Sequence, residues 1–367
     1  MHLKQEFRKL RRYYQENDFE RIFDHELGIY FLKMRSISRS KILKKLAERS
    51  GIDISGISGK NLLEFMFCKK IPNEKLDEFI RQIYSIERQE RIKNEDYLYT
   101  QLYKLKVFDW GGFYQNAVEQ TIVNSYIKKI QDYEKLCNSI EDDINPRLRG
   151  YILCSWYNHW TSILIEDMFK DYPSVLPAVG LVKKVDFFWQ GFPFDLKVTY
   201  FPDGYMKLRR KEMGLSPELT DLKKFARRND IPYDKNAKDR EIFSELLTRI
   251  SEDTSKAAKR FMEEFHEVRR DIILDTMHKP NDLIKWFYEK QGIRRFDAAN
   301  RFFLVLVDLN NLEDSWKLKR NKKLLHRKIN EFLSNNKKID YEKLKISFEW
   351  RDRIYTTYAT ILFILKK

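Results

Sequence analysis

Val182–Tyr200, VKKVDFFWQGFPFDLKVTY, constrains the fold of this chain more than any other stretch. Two apolar, strand-like runs flank Gln190-Gly191, the spacing of a two-residue hairpin loop. Period-2 alternation puts Asp195, Lys197 and Thr199 on one face of the second run, opposite Phe194, Leu196, Val198 and Tyr200. In the first run Lys184, Asp186 and Phe188 share a face. Pairing Trp189 with Phe192 sets Asp186 opposite Asp195 and Lys184 opposite Lys197. Directly opposed side chains lie roughly 5 Å apart at Cβ, close enough for two carboxylates to share a divalent cation. A slip of one residue would separate them, and Pro193 must sit where no ladder donor is needed. Unpaired acids are costly to bury, so two of them in apolar strands mark a site.

Two carboxylates that hold a hard cation beside a lysine suit phosphodiester hydrolysis. The cation polarises the phosphoryl oxygen and acidifies a bound water, and the lysine orients or deprotonates that water. Asp186, eight intervening residues, then Asp195-Leu196-Lys197 resembles the core motif of the PD-(D/E)xK nuclease superfamily, which includes most type II restriction endonucleases. Val185 stands where the motif has its proline, and the second acid is Asp rather than the commoner Glu. The resemblance implies that Asp186, Asp195 and the carbonyl of Leu196 are ligands of Mg²⁺, with Mn²⁺ able to substitute, and that Lys197 is catalytic. Many members place a glutamate on the preceding helix. In WYNHWTSILIEDMFK, Trp156–Lys170, Glu166 fits that role better than Asp167, about 100° further round the helix. His159, on the same stripe, is expected to be packed or solvated.

The resemblance covers about residues 147–310. It implies an α/β, restriction-endonuclease-like mixed sheet flanked by helices. The chain then divides into a mostly α-helical, basic N-terminal region, 1–146, for nucleic-acid binding or dimerisation, and a nuclease domain, 147–367, with a helical insert at 202–296. Long amphipathic stretches (Lys75–Arg91, Tyr114–Leu136) support the first part. A buried strand is expected at Phe302–Leu309, a basic helix at Leu312–Leu333, and strands near Leu344–Trp350 and Ile354–Leu365. Asp308 reads as the N-cap of the helix beginning near Leu312.

A net charge of +15 over 367 residues, with 43% hydrophobic residues, describes a chain that can bury a core and attract a polyanion. Nucleic-acid contacts are expected from Lys207, Arg209, Arg210 and Lys211, and from Lys317, Lys319 and Arg320. Lys223, Lys224, Arg227 and Arg228 belong to an internal echo: Leu43–Ile52 resembles Leu222–Ile231. Each reads as a basic helix with a polar stop and a following helix, loosely similar to helix–extended-loop–helix DNA-binding units of the SAP type. Cys68, Cys137 and Cys154 form no CxxC pair, which excludes zinc knuckles and a disulfide framework and fits a reducing compartment. No signal-peptide core or membrane-length apolar run is present, so a cytoplasmic protein is expected. The function implied is a Mg²⁺-dependent endonuclease acting on double-stranded DNA as a homodimer, in restriction or anti-phage defence. A same-fold nuclease for RNA or branched DNA, and a non-catalytic nucleic-acid-binding protein, remain alternatives.

Overall fold

A computed structural model describes residues 2–112, 117–290, 299–350 and 353–367. The start of the stretch expected from Tyr114 and the end of the insert expected at 296 lie outside the described residues. The chain is mixed α/β with a helical N-terminal region. It forms two compact units, Met1–Leu196 with Trp316–Ile339, and Lys197–Ser315 with Asp340–Lys367. The division expected at residue 146 falls instead just inside one helix, Asn145–Lys170. That helix belongs with the N-terminal helices because its buried Asp167 is held by Arg91 of the helix Asn73–Lys93. Trp316–Ile339 joins the same unit, where the Tyr157 hydroxyl donates to the Trp316 carbonyl at 2.9 Å.

In the first unit, β1 (Val175–Val182), β2 (Val185–Trp189) and β3 (Phe192–Tyr200) form an antiparallel meander. β3 runs on into the second unit after Leu196. The register pairs Trp189 with Phe192, Phe188 with Pro193 and Phe187 with Phe194. Gln190 and Gly191 have φ of 50° and 90°, the left-handed pair that a two-residue hairpin loop requires. Gln190, which lacks glycine's freedom, is held by its side chain, which donates to Asn336 O (2.7 Å) and accepts from Ile339 N (3.0 Å). Because hydrogen-bonded and non-bonded pairs alternate from the loop, Pro193 occupies a non-bonded pair, and its missing N–H removes nothing from the β2 ladder.

β1 was not expected from the sequence. It lies against the helix Gly28–Ser36 because Gly180 lacks a side chain: a Cβ there would sit 2.4 Å from the Ser36 carbonyl oxygen. Its turn into β2 is Lys183-Lys184, with Lys184 at φ 58°. Lys184 is therefore not a β2 residue sharing a face with Asp186 opposite Lys197. Its ammonium lies 4.7 Å from the centre of the Phe19 ring. Nor does the hairpin have one polar face. Phe188 enters the core of the N-terminal helices, with Phe7, Phe31 and Phe67, while Phe187 stacks on Phe169 of the helix Asn145–Lys170 at 5.3 Å.

In the second unit, β4 (Arg301–Asp308) is buried throughout and pairs in parallel with β6 (Arg353–Lys366), which pairs antiparallel with β5 (Lys345–Trp350). A continuous apolar run is what such a strand needs when both its faces are covered. Phe303, Phe287, Tyr288 and Phe348 form its core. The insert is helical as expected, and Leu222, Leu246, Ile250 and Phe265 give it a smaller core of its own. Asp308 does not cap a helix. It accepts from Asn310 N (3.1 Å) and Lys366 Nζ (2.7 Å), while Asn311 takes the Glu313 N–H (3.2 Å) at the start of a 3₁₀ turn. The expected basic helix is thus that 3₁₀ segment, Leu312–Arg320, followed by the helix Lys322–Asn335.

The two segments of the internal echo end in the same left-handed helix stop, one that the helix Asp203–Glu212 also makes at Gly214 (φ 74°), where Leu215 N–H returns to the Arg210 carbonyl at 2.8 Å. Ser40–Arg49 and Glu218–Arg228 are helices, and each is followed by a positive-φ residue, Gly51 (63°) and Asp230 (53°). In both, the next isoleucine N–H returns to an alanine carbonyl at 2.9 Å: Ile52 to Ala47, and Ile231 to Ala226. Each then leads to a second helix, Leu62–Cys68 and Asp239–Glu252.

Candidate active site

The β2–β3 pairing runs from Trp189–Phe192 to Phe187–Phe194, and Asp186 and Asp195 are the next residues along the two strands. At this point the ladder gives way to a side chain: Leu196 N–H donates to Asp186 Oδ2 at 2.7 Å. Asp195 is 8% exposed, between the buried Phe194 and Leu196, and Asp186 is half-buried.

Glu166 comes from the helix Asn145–Lys170 and accepts from Lys170 Nζ at 2.8 Å, the favourable Glu-to-Lys order at i,i+4. Burial pushes the Asp186 carboxyl up to about 7, the negative charges of Glu166 and then Asp195 add to it, and the Leu196 N–H and the Lys170 charge oppose it. Asp186 thus sits among three charges that reach it, those of Glu166, Asp195 and Lys170. Lys170 is the one that sequence reasoning missed. Its only signal is a spacing of four from Glu166, which is commonplace on exposed helices.

Asp167, the neighbour passed over in favour of Glu166, turns the other way. It is 2% exposed and accepts from Arg91 Nε and Nη2 (2.8 Å each) and from Tyr84 Oη (3.2 Å). His159 is exposed and stacks edge-on to Trp160, as expected. Lys197 is exposed, two residues beyond Asp195 on β3.

Carboxylates and a backbone carbonyl are the donor chemistry that Mg²⁺ takes, and a cation would relieve the crowding of negative charge at Asp186. The side chains are not arranged for it, however. Among the described residues no three His, Cys, Asp or Glu side chains are grouped to hold a metal ion. Glu166 is turned to Lys170 and Asp186 to the Leu196 N–H. The donor types fit, and filling the site requires at least one of these internal bonds to be exchanged.

No family model, curated protein or solved structure matches this chain. Its reading rests on its own residues.

The expected nucleic-acid contacts divide by burial. Arg210, Lys319 and Arg320 are corrections, each at most 7% exposed. Arg210 donates to Ser216 O (2.8 Å) and Asp221 (2.5 Å). Lys319 donates to Asn158 Oδ1 (2.7 Å), and burial pulls its ammonium down to about 8. Arg320 Nη1 donates to the carbonyls of Leu102 and Leu105, at 2.8 Å each. These three bind the fold together and are not free to meet phosphate. Arg209 is paired with Glu212 and Asp275, and Lys223 with Asp239. Lys224 is exposed but donates to Ser216 Oγ, and Lys317 is half-buried beside Trp316. Lys207, Lys211, Arg227 and Arg228 are exposed. No described helix is long and apolar enough to cross a membrane.

Proposed function

We propose that this chain is a divalent-metal-dependent endonuclease of the PD-(D/E)xK kind, with a restriction-endonuclease-like core, acting on double-stranded DNA as a homodimer in restriction or anti-phage defence in the cytoplasm. The observation that carries this reading is the half-buried Asp186 of β2, whose carboxyl is raised by burial and then by the charges of Glu166 on the preceding helix and Asp195 on β3. Asp186, Asp195, Glu166 and the carbonyl of Leu196 would hold Mg²⁺ or Mn²⁺. When bound, the metal supplies charge for the phosphoryl oxygen and acidifies water. The Lys197 ammonium would hold the attacking water in line by donating a hydrogen bond to it, the water's proton passing to solvent. The new oxygen–phosphorus bond forms as the bond to the leaving sugar oxygen breaks. For Glu166 to serve as a ligand, Lys170 would have to release it.

The decisive measurement is cleavage of duplex DNA with Mg²⁺ or Mn²⁺ by the wild type, Asp195→Ala and Lys197→Ala. Both variants are expected to lose on the order of 10²–10³-fold or more in rate, and cleavage that survives both sinks the assignment. Single-stranded RNA and branched DNA substrates run in parallel separate the same-fold alternatives. A second reading, a nucleic-acid-binding protein without catalysis, draws on the absence of a ready three-acid metal grouping among the described residues. It predicts salt-dependent binding with no cleavage under either metal.

Arg227 and Arg228 are the exposed end of the helix Glu218–Arg228. Replacing both with Gln is expected to reduce the slope of log affinity against log salt for duplex binding by about 2. Anisotropy titrations between about 50 and 200 mM salt would read this, and an unchanged slope removes this helix from the phosphate contacts.

A further inference from the structure

A cavity of about 380 Å³ lies in the N-terminal helical part of the first unit. Its walls come from the helices His2–Glu16, Gly28–Ser36 and Leu62–Cys68 and from the β1–β2 turn. Four cations line it: Arg11, Arg35, Lys60 and Lys183. The one acid in the wall, Glu64, is already met from outside the cavity by Lys4 (3.4 Å) and Arg8 (3.6 Å).

The four lining cations have no such compensation. Among the described residues none of them pairs with a carboxylate. The Arg35 guanidinium lies 4.9 Å from the centre of the Tyr14 ring, and the Lys183 ammonium 5.5 Å from the same centre. The turn is tied to that ring by Lys183 N–H donating to Tyr14 Oη at 2.8 Å. Arg35 Nε is buried and has no hydrogen-bond acceptor. A ring face offsets part of a cation's desolvation, but a buried N–H without an acceptor is costly in a native fold. Arg11, Lys60 and Lys183 are exposed at the cavity rim, and Lys183 Nζ also donates to Asn17 Oδ1 (3.2 Å). The buried Arg35 Nε is therefore the donor that most lacks a partner, with three further cations around it for an anion.

The charge and shape select the anion. Four uncompensated cations suit a group that brings about two negative charges and three strong acceptors, as a phosphomonoester does at neutral pH. The guanidinium fork matches its oxygens. The volume falls within the range of about 300–1,000 Å³ typical of small-ligand sites, more than a lone phosphate needs. Phe7, Phe31 and Leu63 complete the wall and offer an apolar surface to the rest of the molecule. We propose that this cavity binds a phosphomonoester carried on an organic body, either a free mononucleotide or the 5′-phosphate end of a nucleic-acid strand. The inference does not depend on the nuclease reading.

Calorimetric titration of the full chain, with EDTA present so that no metal-dependent cleavage intervenes, tests it. The probes are AMP, adenosine, a short 5′-phosphorylated oligonucleotide and its 5′-hydroxyl counterpart. AMP binding in preference to adenosine identifies the free nucleotide as the source. Preference only for the phosphorylated oligonucleotide identifies the strand end. In either case Arg35→Gln is expected to weaken binding by about tenfold or more. Affinity should also fall below about pH 6, as the phosphate loses its second charge. Lys60 is exposed, so Lys60→Glu keeps the test sound if Arg35→Gln does not fold, and it too should weaken binding. Failure of both phosphorylated probes to bind, equal binding of the unphosphorylated controls, or unchanged affinity in the variants overturns the proposal.

Discussion

Asp186→Asn is expected to abolish metal-dependent cleavage, by about 10²–10³-fold or more, while making the protein more stable at neutral pH. The two effects have one cause. The wild-type carboxyl is held at about 7 against an ordinary 3.8, by burial first and then by the charges of Glu166 and Asp195. The folded chain therefore binds a proton there that the unfolded chain releases, and stability falls as pH rises from about 4 to about 7. Below that window the group contributes no penalty, and above it the full one. Three pH units correspond to an upper bound of about 4 kcal/mol, reduced to about 1–3 by the solvent that reaches a half-buried carboxylate. Asparagine removes the charge and keeps an oxygen for the Leu196 N–H. Asp203 is also raised by burial, so the slope of the wild type alone does not isolate Asp186. The difference between wild type and variant does. Denaturant unfolding at about pH 5 and pH 8 should show the two proteins converging at the lower pH and Asp186→Asn ahead at the higher. A variant that cleaves normally, or one that is less stable at pH 8, contradicts the assignment of Asp186 as a strained metal-site acid.

How far the site could be read from the sequence depends on how local its causes are. The Gln190-Gly191 loop and the pairing that follows from it are local, since a two-residue spacing leaves one register and the apolar runs keep it. β4 was equally legible because Phe302–Val307 is continuously apolar. β1 was not, because Pro177 and Gly180 interrupt its pattern. Proline is tolerated there on the outer strand, and the missing side chain is used for close approach to Ser36. Lys184 was misplaced for a related reason: its turn holds neither glycine nor asparagine, so a positive φ carried no signal. The basic runs misled at Arg210, Lys319 and Arg320, where neighbours in sequence say nothing about partners. The carbonyls that hold Arg320 are those of Leu102 and Leu105, more than 200 residues away. The two adjacent acids of the helix Asn145–Lys170 do separate as helix geometry requires. A rotation of about 100° per residue separates Glu166, beside Lys170, from Asp167, inside the protein.

That separation carries the other large expected effect. Asp167→Ala should destabilise the protein by about 3–5 kcal/mol, the usual consequence of removing one partner from a buried ion-pair network. Asp167 receives both Arg91 bonds at 2.8 Å and a Tyr84 hydroxyl at 3.2 Å, and Arg88 approaches it at 3.5 Å. Arg88 keeps Glu95 and Asp171 as partners. Tyr84 keeps its shorter bond to Asp171 (2.7 Å), so the loss falls chiefly on Arg91, whose two N–H groups the variant leaves facing an apolar methyl. Asp167→Asn retains the size and one acceptor and should lie between the two. Glu166→Gln, one residue away, behaves oppositely. Its bond to Lys170 is a part-exposed i,i+4 pair worth about 0.3–0.5 kcal/mol, so stability should change by less than about 1 kcal/mol while cleavage falls steeply. Unfolding free energies measured beside cleavage rates for the three variants decide the matter. If Asp167→Ala is stable but inactive and Glu166→Gln remains active, the helix presents the other acid to the site, and the cluster around Asp186 has a different third member.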